Sequence, residues 1–309
     1  MVEGLSEGYL DIMEKKCPVC RSNTKVSFET KDWNRNVSSE SFEYRKCCNC
    51  NLIFLSSIPG DLNKYYGGSY YCPPSVAKLK KAAKAESYQL EMITRFVKKG
   101  RLLEVGPGFG IFAYQAKQSD FDVDIIEKEE KCCEFLINNL GVKAIKSDAP
   151  HKVIESAEGY DVIALWHVVE HLAYPWEFLA NAAKNLNVDG VLLIATPNPS
   201  AFQFRFQKER WPHVDAPRHL WLIPSDLLAG YLKPLGLELV MTTFNDQGAR
   251  SWNRFGWQRY LMNSFSNKWH QRVAFVLGYF VAMLMGPFDR KECSGSAYTV
   301  IFQKIKPST

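Results

Sequence analysis

The 309-residue sequence has no internal repeat, no low-complexity tract, and no uncharged apolar run of the about 20 residues that a bilayer-spanning helix needs. Repeat arrays are excluded on that ground. The opening stretch MVEGLSEGYLDIMEKK lacks the apolar core of a signal peptide. Charge of one sign is scarce as well: 38 Lys and Arg stand against 33 Asp and Glu, a formal net charge of +5. No dense Arg/Lys block occurs, so a nucleic-acid partner is not expected. The stretch Lys78, Lys80, Lys81, Lys84 reads as a solvated helix face. Cysteine is present, nine in all, but not as a secreted disulfide framework. Four fall in two CxxC pairs, and Cys132–Cys133 lie in a helical pattern. A reducing cytoplasm is the expected location, with the paired cysteines holding metal.

The longest uncharged run is residues 273–288, VAFVLGYFVAMLMGPF. It is short for a span, and Gly278, Gly286 and Pro287 are expected to shorten any helix there. The run therefore predicts a buried or membrane-surface helix. Peripheral contact with the inner membrane face stays open through it, as do a cap over a pocket and a dimer contact. The oligomeric state is not legible.

Hydrophobic content of 46% allows a sizeable core. Four regions separate: a cysteine-bearing part (1–57), a Tyr-rich link or lid (58–76), a regular part beginning at 77, and an aromatic-rich part after 200 holding an insertion at 246–292. The regular part reads as a βα series. Helices are predicted at 77–99, 111–118, 129–140 (closed by Gly141), 175–186 (started by Pro175) and 225–235. Strands are predicted at 101–105, 121–127, 142–146, 160–166, 190–196, 237–244 and 297–303. Short strands alternating with helices predict an open, mostly parallel α/β sheet covered on both faces.

The central motif is Glu104-Val-Gly-Pro-Gly-Phe-Gly110, after a strand and before a helix. Gly106, Gly108 and Gly110 permit a tight turn and close approach of a ligand to backbone. Glu104 is placed to hold a cationic amino-acid end. Glu127, at the end of the next strand, is placed to accept ribose hydroxyls. Asp148 with Ala149, after the third strand, is placed at an adenine. Nicotinamide dinucleotides are a poorer match, because their fingerprint is GxGxxG and this loop runs GPGFG.

With the fourth-strand block YDVIALWHVVEHLAYPWEFL, these residues resemble the class I S-adenosylmethionine (SAM)-dependent methyltransferases over about 80–245. They are closest to the branch with a His-x-x-Glu-His signature (His167, Glu170, His171) and a proline-started helix. The family usually has Asp before that proline; here it is Tyr174. The resemblance implies a Rossmann-like seven-stranded doubly wound sheet with an antiparallel last strand. It also implies that the His167 segment borders SAM and the acceptor. His167 is a candidate general base as well as a cofactor contact. The same block matches an inverzincin protease pattern, but its position after a buried strand argues against that reading.

Cys17-Pro-Val-Cys20 and Cys47-Cys-Asn-Cys50 have the spacing of a structural zinc ribbon, and a closed four-thiolate site leaves no catalytic position on the ion. An N-terminal four-cysteine module followed by a Tyr-rich link is similar to that of some bacterial methyltransferases, sugar C-methyltransferases among them. Tyr65, Tyr66, Tyr70 and Tyr71 are candidates for a lid or acceptor contacts, or for linker packing. The stretch from Thr196 to Trp221 concentrates His213, Asp215, Arg218 and His219. Arg218 suits an anionic acceptor group, His213 an acceptor contact, and His219 a second base. The expected activity is SAM-dependent methylation of a small molecule, possible acceptors being a saccharide or a lipid-linked intermediate. A SAM-binding protein without turnover and a nucleic-acid methyltransferase are the alternatives.

Overall fold

A computed structural model of the chain describes residues 16–66, 72–157 and 159–306. Strands β1 (Thr24–Thr30), β2 (Phe42–Cys47) and β3 (Ile53–Leu55) form an antiparallel meander, with Thr24 opposite Cys47 and Tyr44 opposite Leu55. Helices α1 (Val76–Ala85) and α2 (Tyr88–Thr94) come next. Composition predicts one helix here, and the structure corrects this to two. The Gln115 amide donates to the carbonyls of Ala83 and Glu86, both at 3.0 Å. A side chain thus satisfies carbonyls that an unbroken helix would have used internally.

The βα series follows as expected: β4 (Gly100–Val105), α3 (Ile111–Lys117), β5 (Phe121–Glu127), α4 (Glu130–Leu140), β6 (Lys143–Lys146), α5 (Pro150–Glu155), β7 (Tyr160–Trp166), α6 (Pro175–Asn185) and β8 (Leu186–Pro197). Gly141 closes α4 at φ +64°, a left-handed position glycine takes without strain. Then come α7 (Phe202–Gln207), β9 (Trp221–Leu222), α8 (Ser225–Leu232), β10 (Leu237–Thr243), α9 (Gln247–Met262), α10 (Lys268–Asp289) and β11 (Ala297–Lys304). Helix α8 stops short of the predicted Leu235 because Pro234 cannot donate; a 3-10 turn covers Lys233–Leu235.

Seven strands make one sheet in the order β10-β11-β8-β7-β4-β5-β6, with the last strand antiparallel. Strands β8, β7, β4, β5 and β6 pair in parallel. Their apolar runs are buried because helices cover both faces: Leu102, Val162, Ala164, Val191 and Leu193 pack with Phe112, Ala116 and Leu136 in one core. Burying a leucine or isoleucine side chain stabilises by about 1.5–3 kcal/mol, so this core supports the frame on which the loops sit. Strand order reverses between β4 and β7, and the crevice beyond their carboxyl ends is where ligands bind in such sheets.

A second sheet has the order β1-β2-β3-β9, Phe54 pairing with Trp221 and Ile53 with Leu222. By packing the chain forms two compact units. One takes the described residues of Met1–Gly67 with Thr196–Leu227 and Thr243–Tyr298; the other takes those of Gly68–Ala195, Leu228–Thr242 and Thr299–Thr309.

Helix α10 runs through Gly278, Gly286 and Pro287, against the expectation that these residues would shorten it. A Cβ at Gly278 would stand 2.5 Å from the Gln258 Cα, so this glycine lets α10 lie directly on α9. Among the described residues, α10 alone is long and apolar enough to cross a membrane by length and composition. Only 17% of its most apolar stretch is buried.

Candidate cofactor site and cysteine centre

The loop after β4 turns on three glycines, at φ +60° (Gly106), +53° (Gly108) and +75° (Gly110). A Cβ on Gly106 would meet Val168 at 2.8 Å, and one on Gly110 would meet Leu136 at 2.2 Å. At Gly108 nothing lies within 4 Å. A side chain at either outer glycine would have to displace Val168 or Leu136 in a left-handed backbone conformation that favours glycine, and the middle one faces open space. The Gly108 N–H donates to Glu127 Oε2 at 3.0 Å, while Oε1 accepts from the N–H groups of Lys128 at 2.8 Å and Glu129 at 3.0 Å. Three backbone donors therefore fix this buried carboxylate at the end of β5.

Glu104 lies at the end of β4, buried at 3% exposure. Burial pushes its carboxyl up to about 8, with the neighbouring Glu127 charge adding to the effect and a hydrogen bond from the Ala113 backbone opposing it. Its Oε2 is buried without a hydrogen-bond partner. A carboxyl in that state is satisfied by a proton or by a cation. Asp148 lies exposed just past β6, and Ser147 Oγ accepts from the Ala149 N–H at 3.1 Å. His167, directly after β7, has φ +55°, rare for a residue with a Cβ. Its N–H donates to the Ala195 carbonyl at 2.9 Å, and its Nδ1 faces the fully buried Glu170 at 3.6 Å. Burial raises the nearby Glu86 carboxyl, and the His167 charge opposes that rise.

Glu104, Gly106, Gly108, Gly110, Glu127, Asp148, Ala149 and His167 thus lie at the carboxyl ends of four adjacent parallel strands. The donor set fits SAM: a buried carboxyl with one unsatisfied oxygen for its cationic end, open space at Gly108, and an oriented acid at the second strand end. Sequence reasoning missed Val168, which makes glycine obligatory at 106, and Glu170 as the partner of His167. Glu170 was visible as part of the histidine signature, whereas Val168 left no signal in local pattern.

The sulfurs of Cys17, Cys20, Cys47 and Cys50 lie within 4.8 Å of one another. Cys17 and Cys50 are 3.6 Å apart, Cys20 and Cys47 3.4 Å. A tetrahedron with metal–sulfur bonds of about 2.3 Å has sulfur–sulfur edges of about 3.8 Å, close to this spacing. Arg21 (φ +58°) and Asn51 (φ +60°) close the two turns, and the N–H groups of Asn49 and Cys50 point at Cys47 Sγ from 3.4 Å. These four residues could hold one metal ion in a closed site. Cys48 is exposed.

The residues expected at the acceptor are mostly interior. Arg218 is fully buried, and all its nitrogens donate within the protein: Nε to Asp215 at 3.1 Å, Nη1 to Asp32 at 3.1 Å and to the Tyr65 carbonyl at 2.7 Å, Nη2 to Asp32 and Asp215. Arg218 thus bridges the Asp32 and Asp215 carboxylates, which an anionic acceptor would have to displace. Asp215 stays ionised despite burial because His219 and Arg218 hold it well below the usual carboxylate range. Tyr65 is buried, and its hydroxyl donates to Glu40 at 2.8 Å. His213 is buried and donates from Nε2 to the Trp252 carbonyl at 3.0 Å. His219 donates from Nδ1 to the His213 carbonyl at 2.9 Å, and its Nε2 faces Asp215 at 3.7 Å. Tyr70 lies outside the described residues.

Residues 79–242 match the model of a methyltransferase domain family. A ubiquinone biosynthesis O-methyltransferase of Caulobacter sp. (strain K31) is 30% identical over 103 residues, covering 32% of this chain and 41% of that protein. One from Rickettsia bellii (strain OSU 85-389) is 28% identical over 102 residues, 31% of this chain and 42% of its own length. The chain thus spans about two fifths of the length of the curated relatives it matches. Among solved structures, a SAM-dependent methyltransferase from Archaeoglobus fulgidus superposes with a TM-score of 0.50 at 17% identity, over 74% of this chain and 96% of that one. A Haemonchus contortus phosphoethanolamine N-methyltransferase superposes with a TM-score of 0.53 at 12% identity, over 97% of this chain and 72% of that one. With the family model covering more than half of its length, the chain belongs to the methyltransferase domain family and has its class I fold.

Proposed function

We propose that the protein transfers the methyl group of SAM to a small-molecule acceptor. The observation that carries this reading is the buried Glu104 carboxyl, one of whose oxygens has no hydrogen-bond partner, at the head of a glycine loop whose middle residue faces open space. When bound, SAM supplies a methyl group activated by a sulfonium leaving group. The chain's own residues bind, orient and move protons. Glu104 holds the cationic end, Glu127 the ribose hydroxyls, and Asp148 with Ala149 the adenine. His167, its Nδ1 facing Glu170 at 3.6 Å, takes a proton at Nε2 when the acceptor must lose one.

Support for a lipid-linked or saccharide acceptor is the exposed apolar helix α10 and the ubiquinone biosynthesis names of the relatives. We assign the four-cysteine centre to structural zinc and the protein to the cytoplasm. Support for both is the paired CxxC spacing, which suits metal rather than a disulfide framework. Calorimetric titration with SAM and S-adenosylhomocysteine tests the reading, run on wild type, Gly106→Arg and Glu127→Ala. Binding by wild type and its loss in both variants is expected. Folded, metal-loaded wild type that binds neither ligand would remove SAM chemistry from consideration.

A further inference from the structure

Neither the cofactor site nor the cysteine centre uses residues 247–291. Helices α9 and α10 pack on each other there, with Ala274 and Gly278 buried on the α10 side. Val276, Phe280, Met283 and Leu284 recur at three- and four-residue spacing and so share another face. That face is open to solvent, Met283 at 62% and Leu284 at 71% exposure. An apolar stripe of this length on a surface marks an interaction site.

Charge identifies the partner. Residues 247–291 contain seven Lys or Arg and one acid, Asp289. Asp289 is buried at 1% exposure and accepts from Trp257 Nε1 at 2.8 Å and Gln203 Nε2 at 3.2 Å. Solvent along these helices therefore meets mostly cations, the remaining acids being Asp246, which caps the start of α9, and Glu292 just past the end of α10. Lys268 and Arg272 open α10, Arg290 and Lys291 follow its end, and Trp269 near its start is exposed. Cations and an aromatic bracketing an exposed apolar stripe is the layout of a helix lying in the plane of an anionic bilayer. A second copy of this chain would bring the same excess of cations to the contact. A spanning arrangement would carry Arg250 and Arg254 of the packed helix α9 into hydrocarbon.

A cleft of about 410 Å³ adjoins the stripe. Arg250, Arg254 and Arg290 line it with Tyr279, Met283, Gly286 and one acid, Asp289, one of whose carboxyl oxygens is taken up by Trp257 and Gln203. A Cβ at Gly286 would meet only Arg290 Nε, at 4.0 Å, so the glycine keeps the cleft open. Met283 belongs both to the cleft and to the exposed stripe. A phosphate among the three guanidiniums can thus be joined to an acyl chain lying along α10. We propose that α9 and α10 dock the protein on the surface of an anionic bilayer, with one lipid phosphate held by Arg250, Arg254 and Arg290.

The test is sedimentation of the full chain with vesicles of phosphatidylcholine alone and of phosphatidylcholine with phosphatidylglycerol, without SAM. Capture by the anionic vesicles only, weakening with salt, is expected. Leu284→Glu and Phe280→Glu should each lower partition about tenfold. Arg254→Gln should lower it about fivefold. All three positions are exposed, and unchanged thermal unfolding confirms that the variants fold. Wild type that no anionic vesicle captures, or capture indifferent to all three substitutions, overturns the proposal. A solution dimer that Leu284→Glu dissociates, with no vesicle capture, overturns it in favour of self-association.

Discussion

Glu104→Gln should uncouple stability from pH while weakening SAM binding. In the folded chain burial pushes this carboxyl up to about 8, against an ordinary value of 4.5. A raised carboxyl favours the native state fully below its unfolded value and loses that contribution as pH climbs toward the folded value. Each unit of separation is worth about 1.4 kcal/mol, so the whole window amounts to about 5 kcal/mol. Between about pH 6 and about pH 8 the share is about 2 kcal/mol, because at about pH 8 the folded carboxyl is only half ionised. Glutamine keeps the shape and cannot ionise. Urea melts of both proteins across that range should diverge by this amount, the variant gaining relative to wild type as pH rises. Binding supplies the second arm. A cationic ligand favours the ionised carboxylate, so wild type should release more protons than the variant when SAM binds at neutral pH. The dependence of titration enthalpy on the buffer's ionisation heat reads that difference. A stability gap independent of pH, together with equal proton release, would refute the view of Glu104 as a buried carboxyl awaiting a cation.

Two other perturbations follow from the geometry. Arg218→Met should destabilise by about 3–5 kcal/mol in urea denaturation, because it strands two buried carboxylates; unchanged stability with a raised acceptor KM would restore the acceptor-binding role expected from sequence. Purified protein should carry about one zinc ion per chain by emission spectrometry, and Cys47→Ser should lower both metal content and Tm while Cys48→Ser leaves them intact. A Tm indifferent to metal loss would count against a structural ion.

Local pattern carried most of the sheet and the cofactor loop. The strand runs at 101–105, 121–127 and 160–166 and the loop from Glu104 to Gly110 announce themselves through composition and glycine placement. So does the four-cysteine cluster through its paired CxxC spacing, while the antiparallel pairing of β1 with β2 brings the two pairs together. Features set by distant residues were hidden. Arg218 is a plausible anion ligand until Asp32, 186 positions away, is found beside it. The break after α1 depends on Gln115, about 30 residues downstream by the same logic of tertiary override. Gly278 reads as a helix breaker in isolation and becomes a packing contact once Gln258 lies over it. Periodicity reports which face of a helix is apolar; it does not report whether anything in the chain covers that face, as α10 illustrates.

The pairing of β3 with β9 bears on how the protein is made. Strand β3 leaves the cysteine meander with an open edge until Trp221 and Leu222 emerge, and the Tyr44 hydroxyl waits for the carbonyl of His219, 175 positions later. A nascent chain that has already gathered its four thiolates therefore displays an unpaired sheet edge for most of its synthesis. Strand exchange between ribosome-bound copies competes with native closure during that interval. The N-terminal segment expressed by itself would keep that vulnerable edge permanently, so grafting it onto another enzyme requires carrying Trp221 and its neighbours along.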